Sequence, residues 1–137
     1  MNTSRNVVYI SDFFAEHVLG GGELNDHELI QMLQESGVNI EKRQSHMVEK
    51  SFLEKKKDCF FLISNFCNLN QENKDWLMYN GSYLIYEHDH KYLATRNPAK
   101  YEEFKAPASD IRNYAFYKNA VKVICQSEFH SNIIKKN

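Results

Sequence analysis

Glu87-His88-Asp89-His90-Lys91 is the densest polar cluster in the chain, and it stands directly behind the apolar run Tyr83-Leu84-Ile85-Tyr86. Ionisable groups in unbroken succession do not suit a core. An imidazole beside a carboxylate can be oriented and its charged form stabilised, which suits a general base or an electrostatic partner for a transition state. If the strand persists, His88 and His90 face one way and Glu87 and Asp89 the other. Two other readings stay open. His88 and His90 could ligate a metal with a third residue such as His17, although no local spacing supplies that ligand. The cluster could also be a solvated loop start. A second stretch with chemical potential is Gly20-Gly21-Gly22-Glu23, just before a helical pattern. Consecutive glycines let a backbone approach a ligand closely, and helix-start N–H groups favour an anion. The run fits neither G-x-G-x-x-G nor the P-loop. The helix could also start a turn later, behind an Asn25 cap with Glu28 closing the box, and the run also reads as a mere flexible turn. Lys91 and Arg96 could meet a phosphate or stand in solvent.

The elements that must position these groups follow from the apolar pattern. Val7 to Ile10, Phe60 to Ile63 and Tyr83 to Tyr86 are continuous apolar runs, and Val121 to Cys125 is one interrupted by Lys122, as in strands covered on both faces. Val38 to Ile40 alternates and turns polar, which predicts a position nearer the sheet edge. Helical patterns lie between: Glu23 to Ser36 with Leu29, Met32 and Leu33 on one face and Gly37 as stop; His46 to Lys57 with Val48 and Phe52 inward; Asn70 to Tyr79. Two more are Asp110 to Asn119, capped by Asp110 or Ser109 with Ile111, Tyr114, Ala115 and Lys118 on one stripe, and a last helix after Ser127 burying Phe129 and Ile133. Lys55-Lys56-Lys57 reads as a solvated helix end. Tyr9, Tyr83 and Tyr86 read as core residues with hydroxyls at the sheet end.

Strand and helix alternate, so the expected fold is α/β: one doubly wound, Rossmann-like domain over residues 1–137, with a mainly parallel sheet of about five strands. Two connections are long: Asp12 to Gly22, and His88 to about Ser109, which holds both prolines, Pro98 and Pro107. Both follow the carboxyl end of a strand, where open α/β sheets bind ligands; they also read as tolerated insertions.

Composition removes several function classes. The 137 residues carry 17 Lys+Arg against 18 Asp+Glu, a formal net charge of −1, which gives no electrostatic case for a nucleic-acid or anionic-membrane binder. No apolar run is long enough to span a bilayer, and Met1 to Asn6 do not read as a signal peptide. Cys59, Cys67 and Cys125 are an odd set without C-x-x-C spacing, two of them in apolar runs. They predict a reduced, cytoplasmic protein with buried Cys and no zinc.

Taken in order, three segments resemble the N-terminal half of a GT-B-fold glycosyltransferase of the retaining group-1 (family 4) kind. Gly20-Gly21-Gly22-Glu23 after the first strand is similar to the family's G-G-x-E at the head of its first long helix. His88-Asp89 after the fourth strand is similar to its H-D. Asn113 to Asn119 followed by Val121-Lys122-Val123-Ile124-Cys125-Gln126-Ser127 is similar to its helix, strand and helix start. The resemblance covers nearly the whole chain.

It implies that Gly20, Gly21, Gly22 and Glu23 line the cleft by the donor diphosphate. It makes His88 the catalytic-site residue at the donor sugar, oriented by Asp89. Glu87, His90, Lys91 and Arg96 would then shape the acceptor pocket. It implies a nucleotide-sugar donor as substrate, no cofactor and no metal. It further implies a second Rossmann-like domain with an E-x7-E element, or a homodimer mate, to complete the cleft. These 137 residues carry neither the second domain nor that element, so the expectation is half of a transferase, inactive or weakly active alone. The alternative is a non-catalytic Rossmann-like module that holds a phosphorylated or sugar ligand or docks on a partner protein. A small metal-dependent hydrolase is the third reading.

Overall fold

The structure, a computed structural model, describes residues 5–137. Five strands form one all-parallel sheet: β1 (Asn6–Ser11), β2 (Asn39–Gln44), β3 (Phe60–Ile63), β4 (Tyr83–Tyr86) and β5 (Lys122–Ile124), in spatial order β2-β1-β3-β4-β5. Five α-helices accompany them among the described residues: α1 (Gly21–Glu35), α2 (Lys50–Lys55), α3 (Gln71–Asn80), α4 (Tyr114–Asn119) and α5 (Glu128–Lys136). The chain is thus a Rossmann-like α/β domain, as the alternation of patterns predicts. No helix of the described residues is long and apolar enough to cross a membrane.

Strand alternation divides the core in two. In register, Ile10, Ile63, Ile85 and Val123 line up across β1, β3, β4 and β5, and this face packs on α2, α3 and α4 through Leu53, Trp76, Leu77 and Phe116. The opposite face carries Tyr9, Leu62, Leu84 and Tyr86 under α1, which contributes Leu29, Ile30 and Leu33. Tyr9 and Tyr83 are buried, whereas Tyr86 is half-buried. A third cluster, Tyr92, Leu93, Ala106 and Ile133, packs the long β4–α4 connection onto α5. That connection is built from short 3-10 turns and an antiparallel bridge between Leu93 and Ile111.

Several local expectations need correction. Met32 is exposed; the inward face of α1 runs through Asp26, Leu29, Ile30 and Leu33. The second helical pattern breaks into a 3-10 turn (Ser45–Met47) and α2. Extended backbone at Val48 separates them, and the Val48 carbonyl accepts from Asn73 Nδ2 at 2.9 Å. Helix α4 starts at Tyr114, behind Asn113 in the left-handed region (φ 58°), rather than at an Asp110 or Ser109 cap. Its buried residue is Phe116, while Tyr114 is exposed. In α5 the inward positions are His130 and Ile133, and Phe129 is exposed. Strand β2 runs to Gln44, and its Glu41, Lys42 and Arg43 guard the sheet edge with charge. Cys59 and Cys125 are half-buried rather than buried, and Cys67 is exposed; all three are free thiols.

Strands β1 and β3 are neighbours whose outgoing connections run to opposite faces of the sheet, α1 to one and α3 to the other. This is the topological switch point, and in open α/β sheets the crevice beyond it is where ligands bind.

Gly37 ends α1 at φ +89°, with its N–H on the Gln34 carbonyl and that of Val38 on Leu33. Gly37→Ala is expected to lower the unfolding free energy by about 1 kcal/mol through left-handed strain. Gly21→Ala, inside the helix with open space around it, is expected to be neutral or stabilising by about 0.5 kcal/mol. Urea denaturation midpoints of the two variants check the contrast.

Candidate functional site

Helix α1 begins directly at the glycine run, with Gly20 as N-cap and no side-chain cap, so there is no later start behind Asn25. The first N–H groups of the helix are left without intrahelical partners. A Cβ on Gly20 would stand 2.3 Å from Glu23 Oε2, whereas one on Gly22 would stand 3.4 Å from both Asn65 Nδ2 and the His88 ring. Gly22 is therefore the point at which the helix start touches the carboxyl edge of the sheet.

His88 lies just past β4, its side chain almost wholly buried, with both ring nitrogens engaged. Nε2 stands 3.0 Å from Asp26 Oδ1, and Nδ1 stands 2.8 Å from Gln126 Nε2. An amide nitrogen can only donate, so Nδ1 accepts and the Nε2 proton points to Asp26. The carboxylate that orients His88 is thus Asp26, 62 residues earlier in the chain, and not the adjacent Asp89. Asp26 is itself fully buried and also accepts from Tyr9 OH and, at 2.8 Å, from Ser64 Oγ. Burial and the neighbouring carboxylate push the Tyr9 phenol well above its ordinary range, so it remains a donor.

Glu87 points the other way. It is fully buried, pairs with Lys91 and accepts from Tyr117 OH. Burial, with Glu87 beside it, raises the Tyr117 phenol. Lys91 also reaches Asn65 Oδ1 at 3.4 Å. Glu87 and Lys91 thus form a buried ion pair that pins the start of the long connection. Asp89 pairs with the exposed Arg96, whose own pKa is raised by that bond. His90 does not share a face with His88: its Nδ1 meets Tyr92 OH at 2.7 Å, and its ring packs on His130 at 4.5 Å between centroids. Burial lowers the His90 pKa, and the neighbouring His130 adds to this.

The glycine run and His88 therefore come together, with Asp26, Asn65, Ser64 and Gln126 completing their surroundings. Arg96, Asp89 and His90 lie farther along the connection. His17 binds its own turn, with Nδ1 accepting from Phe14 N at 3.2 Å. Among the described residues no group of three or more His, Cys, Asp or Glu is placed to hold a metal ion. Sequence reasoning missed Asp26, although it sits on the apolar face of α1 four residues before Ile30, a position where a carboxylate needs buried donors. It also missed Asp12, whose buried carboxylate accepts from the N–H groups of Cys67 and Asn68 at 2.9 and 3.0 Å and fixes the loop after β3.

No family model, no curated protein and no solved structure matches the chain.

Two outcomes follow from the buried groups. Glu87→Leu leaves the Lys91 ammonium buried without its partner and is expected to cost about 3–5 kcal/mol by chemical denaturation; a loss under half of that would mean the pair is solvated. For His90, the unfolded residue titrates near the ordinary 6.5 and the folded one lower. Its contribution to stability is therefore present above that value and fades as pH falls through the folded pKa. The melting temperature of His90→Gln is expected to fall less than that of the parent between about pH 7 and pH 5; parallel slopes would contradict it.

Proposed function

We propose that the chain is the acceptor-side half of a glycosyltransferase that moves a sugar from a nucleotide sugar to an acceptor. One observation carries this reading: the glycine run, His88 and the segment after β5 meet at one place. Gly22 abuts His88, and His88 binds Gln126, 38 residues on. These are the three segments on which the resemblance to group-1 transferases rests. Their meeting place lies beyond the carboxyl edge of a parallel sheet, where this class of fold takes ligands.

In this reading the open amides at the start of α1 face the donor diphosphate, with Gly20, Gly21, Gly22 and Glu23 lining the cleft. His88 meets the donor sugar. With Nε2 committed to Asp26, the nitrogen a ligand reaches is Nδ1, by displacing the exposed Gln126 amide. His88 then serves as a positioned hydrogen-bond acceptor. Glu87 and Lys91 hold the loop from behind, and Arg96 stays open to an acceptor. A second Rossmann-like domain or a homodimer mate holds the nucleotide, and the reading calls on no metal. Three free thiols go with a cytoplasmic setting.

Titration of UDP-, GDP- and ADP-glucose into isotope-labelled protein tests the reading. At least one is expected to shift the amides of Gly20 to Glu23 and the His88 ring at about millimolar concentration, as befits half a site. Gly22→Ala and His88→Asn are expected to weaken the effect about tenfold or more, with their own spectral changes confined to α1, Asp26 and the ends of β3 and β4. Silence of those signals with all three donors would overturn the assignment. In a completed enzyme, His88→Ala is expected to cut the transfer rate about a hundredfold, and an unchanged rate would remove its role.

A further inference from the structure

A pocket of about 310 Å³ opens between α3 and the β4–α4 connection, and four of its lining residues are Lys74, Lys91, Arg96 and Arg112. In a chain of net charge −1 this concentration of positive charge is not a consequence of composition. Two of the four are balanced, Lys91 by Glu87 and Arg96 by Asp89. Lys74 and Arg112 form no ion pair among the described residues. The half-buried Lys74 ammonium gives one hydrogen bond, to Asn113 Oδ1 at 3.1 Å, and Arg112 Nη1 donates to the carbonyls of Ser109 and Ile111. Three ammonium donors and five guanidinium donors exceed these partners.

The ring of Phe66 is shared by two of these cations. Lys74 and Lys91 both stand over the Phe66 ring, their nitrogens 5.5 and 5.1 Å from its centroid. Burial lowers the Lys74 pKa despite the opposing pull of the Asp12 and Asp75 carboxylates, so its charge is held at a desolvation cost. No acidic residue lines the opening.

We propose that this pocket is a binding subsite for a phosphate group, with Lys74 and Arg112 supplying charge that no ion pair takes up and Arg96 the rim. Planar guanidinium forks and a point-charged ammonium are the groups that recognise phosphate, and the volume suits a phosphate monoester of a small molecule. Asn65 links it to the glycine run: its Oδ1 accepts from Lys91, and its Nδ2 faces Gly22. If the transferase reading holds, on which this last step rests, the acceptor is a phosphorylated one.

Cys67 lines the same pocket and reports on it. In a Cys59→Ser, Cys125→Ser background it is the sole thiol. Its alkylation by anionic iodoacetate, relative to neutral iodoacetamide, is expected to be about tenfold faster than the ratio for free cysteine. Lys74→Gln with Arg112→Gln is expected to return that ratio to the free value. Inorganic phosphate and glucose 6-phosphate, at about 10 mM and matched ionic strength, are expected to slow both reagents in the parent and not in the double variant. Stronger protection by the sugar phosphate would place the group on a larger ligand, and equal protection would make it free phosphate. A ratio equal to that of free cysteine, no protection by either anion, or protection that survives the double variant would overturn the subsite. None of these readouts depends on the nucleotide-sugar titration, so the two readings fail separately.

Discussion

A carboxylate sealed under the edge of a parallel sheet governs this molecule. Asp26 projects from the inward face of α1 with no exposure to solvent, and an unpartnered carboxylate there would cost more than the domain could bear. Its donors come from three strands: Tyr9 on β1, Ser64 just after β3 and His88 just after β4. Each of these bonds fixes a register as well as a charge. Helix α1 cannot slide along the sheet without losing them together, which holds its glycine start at one height above the strand ends. The arrangement that satisfies a buried charge is therefore also the arrangement that sets the glycine run against His88.

The second buried charge does the same for the long connection. Glu87 carries its strand one hydrogen bond past β4, its N–H on the Ile124 carbonyl, and then turns its carboxylate to Lys91 and Tyr117. A loop that begins with an ion pair of this burial is held at its root. Its later course is fixed by a core of its own, Tyr92, Leu93 and Ala106 against Ile133. Backbone strain collects here: Arg96, Glu103, Phe104 and Asn113 are the non-glycine residues with positive φ among the described ones, all between 53° and 63°. Left-handed backbone at such residues persists only where surrounding contacts over-determine it. Two of the four, Arg96 and Asn113, line the basic pocket.

What the sequence discloses follows from which forces act locally. β3 and β4 fall where unbroken apolar runs place them, because strands buried on both faces leave no polar position to blur the pattern. Asn70 and Ser127 cap α3 and α5 as their types suggest, each accepting from the N–H three residues on. Errors arise where an inward position is polar. Met32 is the apolar residue that local pattern places on the stripe of α1, but Asp26 occupies that stripe and reads as surface. His130 likewise displaces Phe129, because its ring has His90 to pack on and its Nε2 has the Asp89 carbonyl. The helix near Asp110 begins late because Ile111 is drawn into a bridge with Leu93, a contact no local pattern contains.

The same distinction bears on the His88 cluster. Read along the chain, five consecutive ionisable residues look like one site. In the fold they separate by pleat and turn: Glu87 goes inward to Tyr117, His88 across the edge to Asp26, Asp89 out to Arg96 and His90 back to His130. Adjacent residues of an extended segment face opposite ways, so a run of charges at a strand end distributes itself over both sides of the sheet. One member, His88, reaches the glycine helix, and it does so because its partner lies 62 residues away rather than next to it. A histidine oriented by a distant buried carboxylate is fixed more rigidly than one oriented by a loop neighbour, since the packing of α1 stands behind it. That rigidity leaves the two ring nitrogens unequal, Nε2 held by a carboxylate inside the core and Nδ1 by the exposed side chain of Gln126.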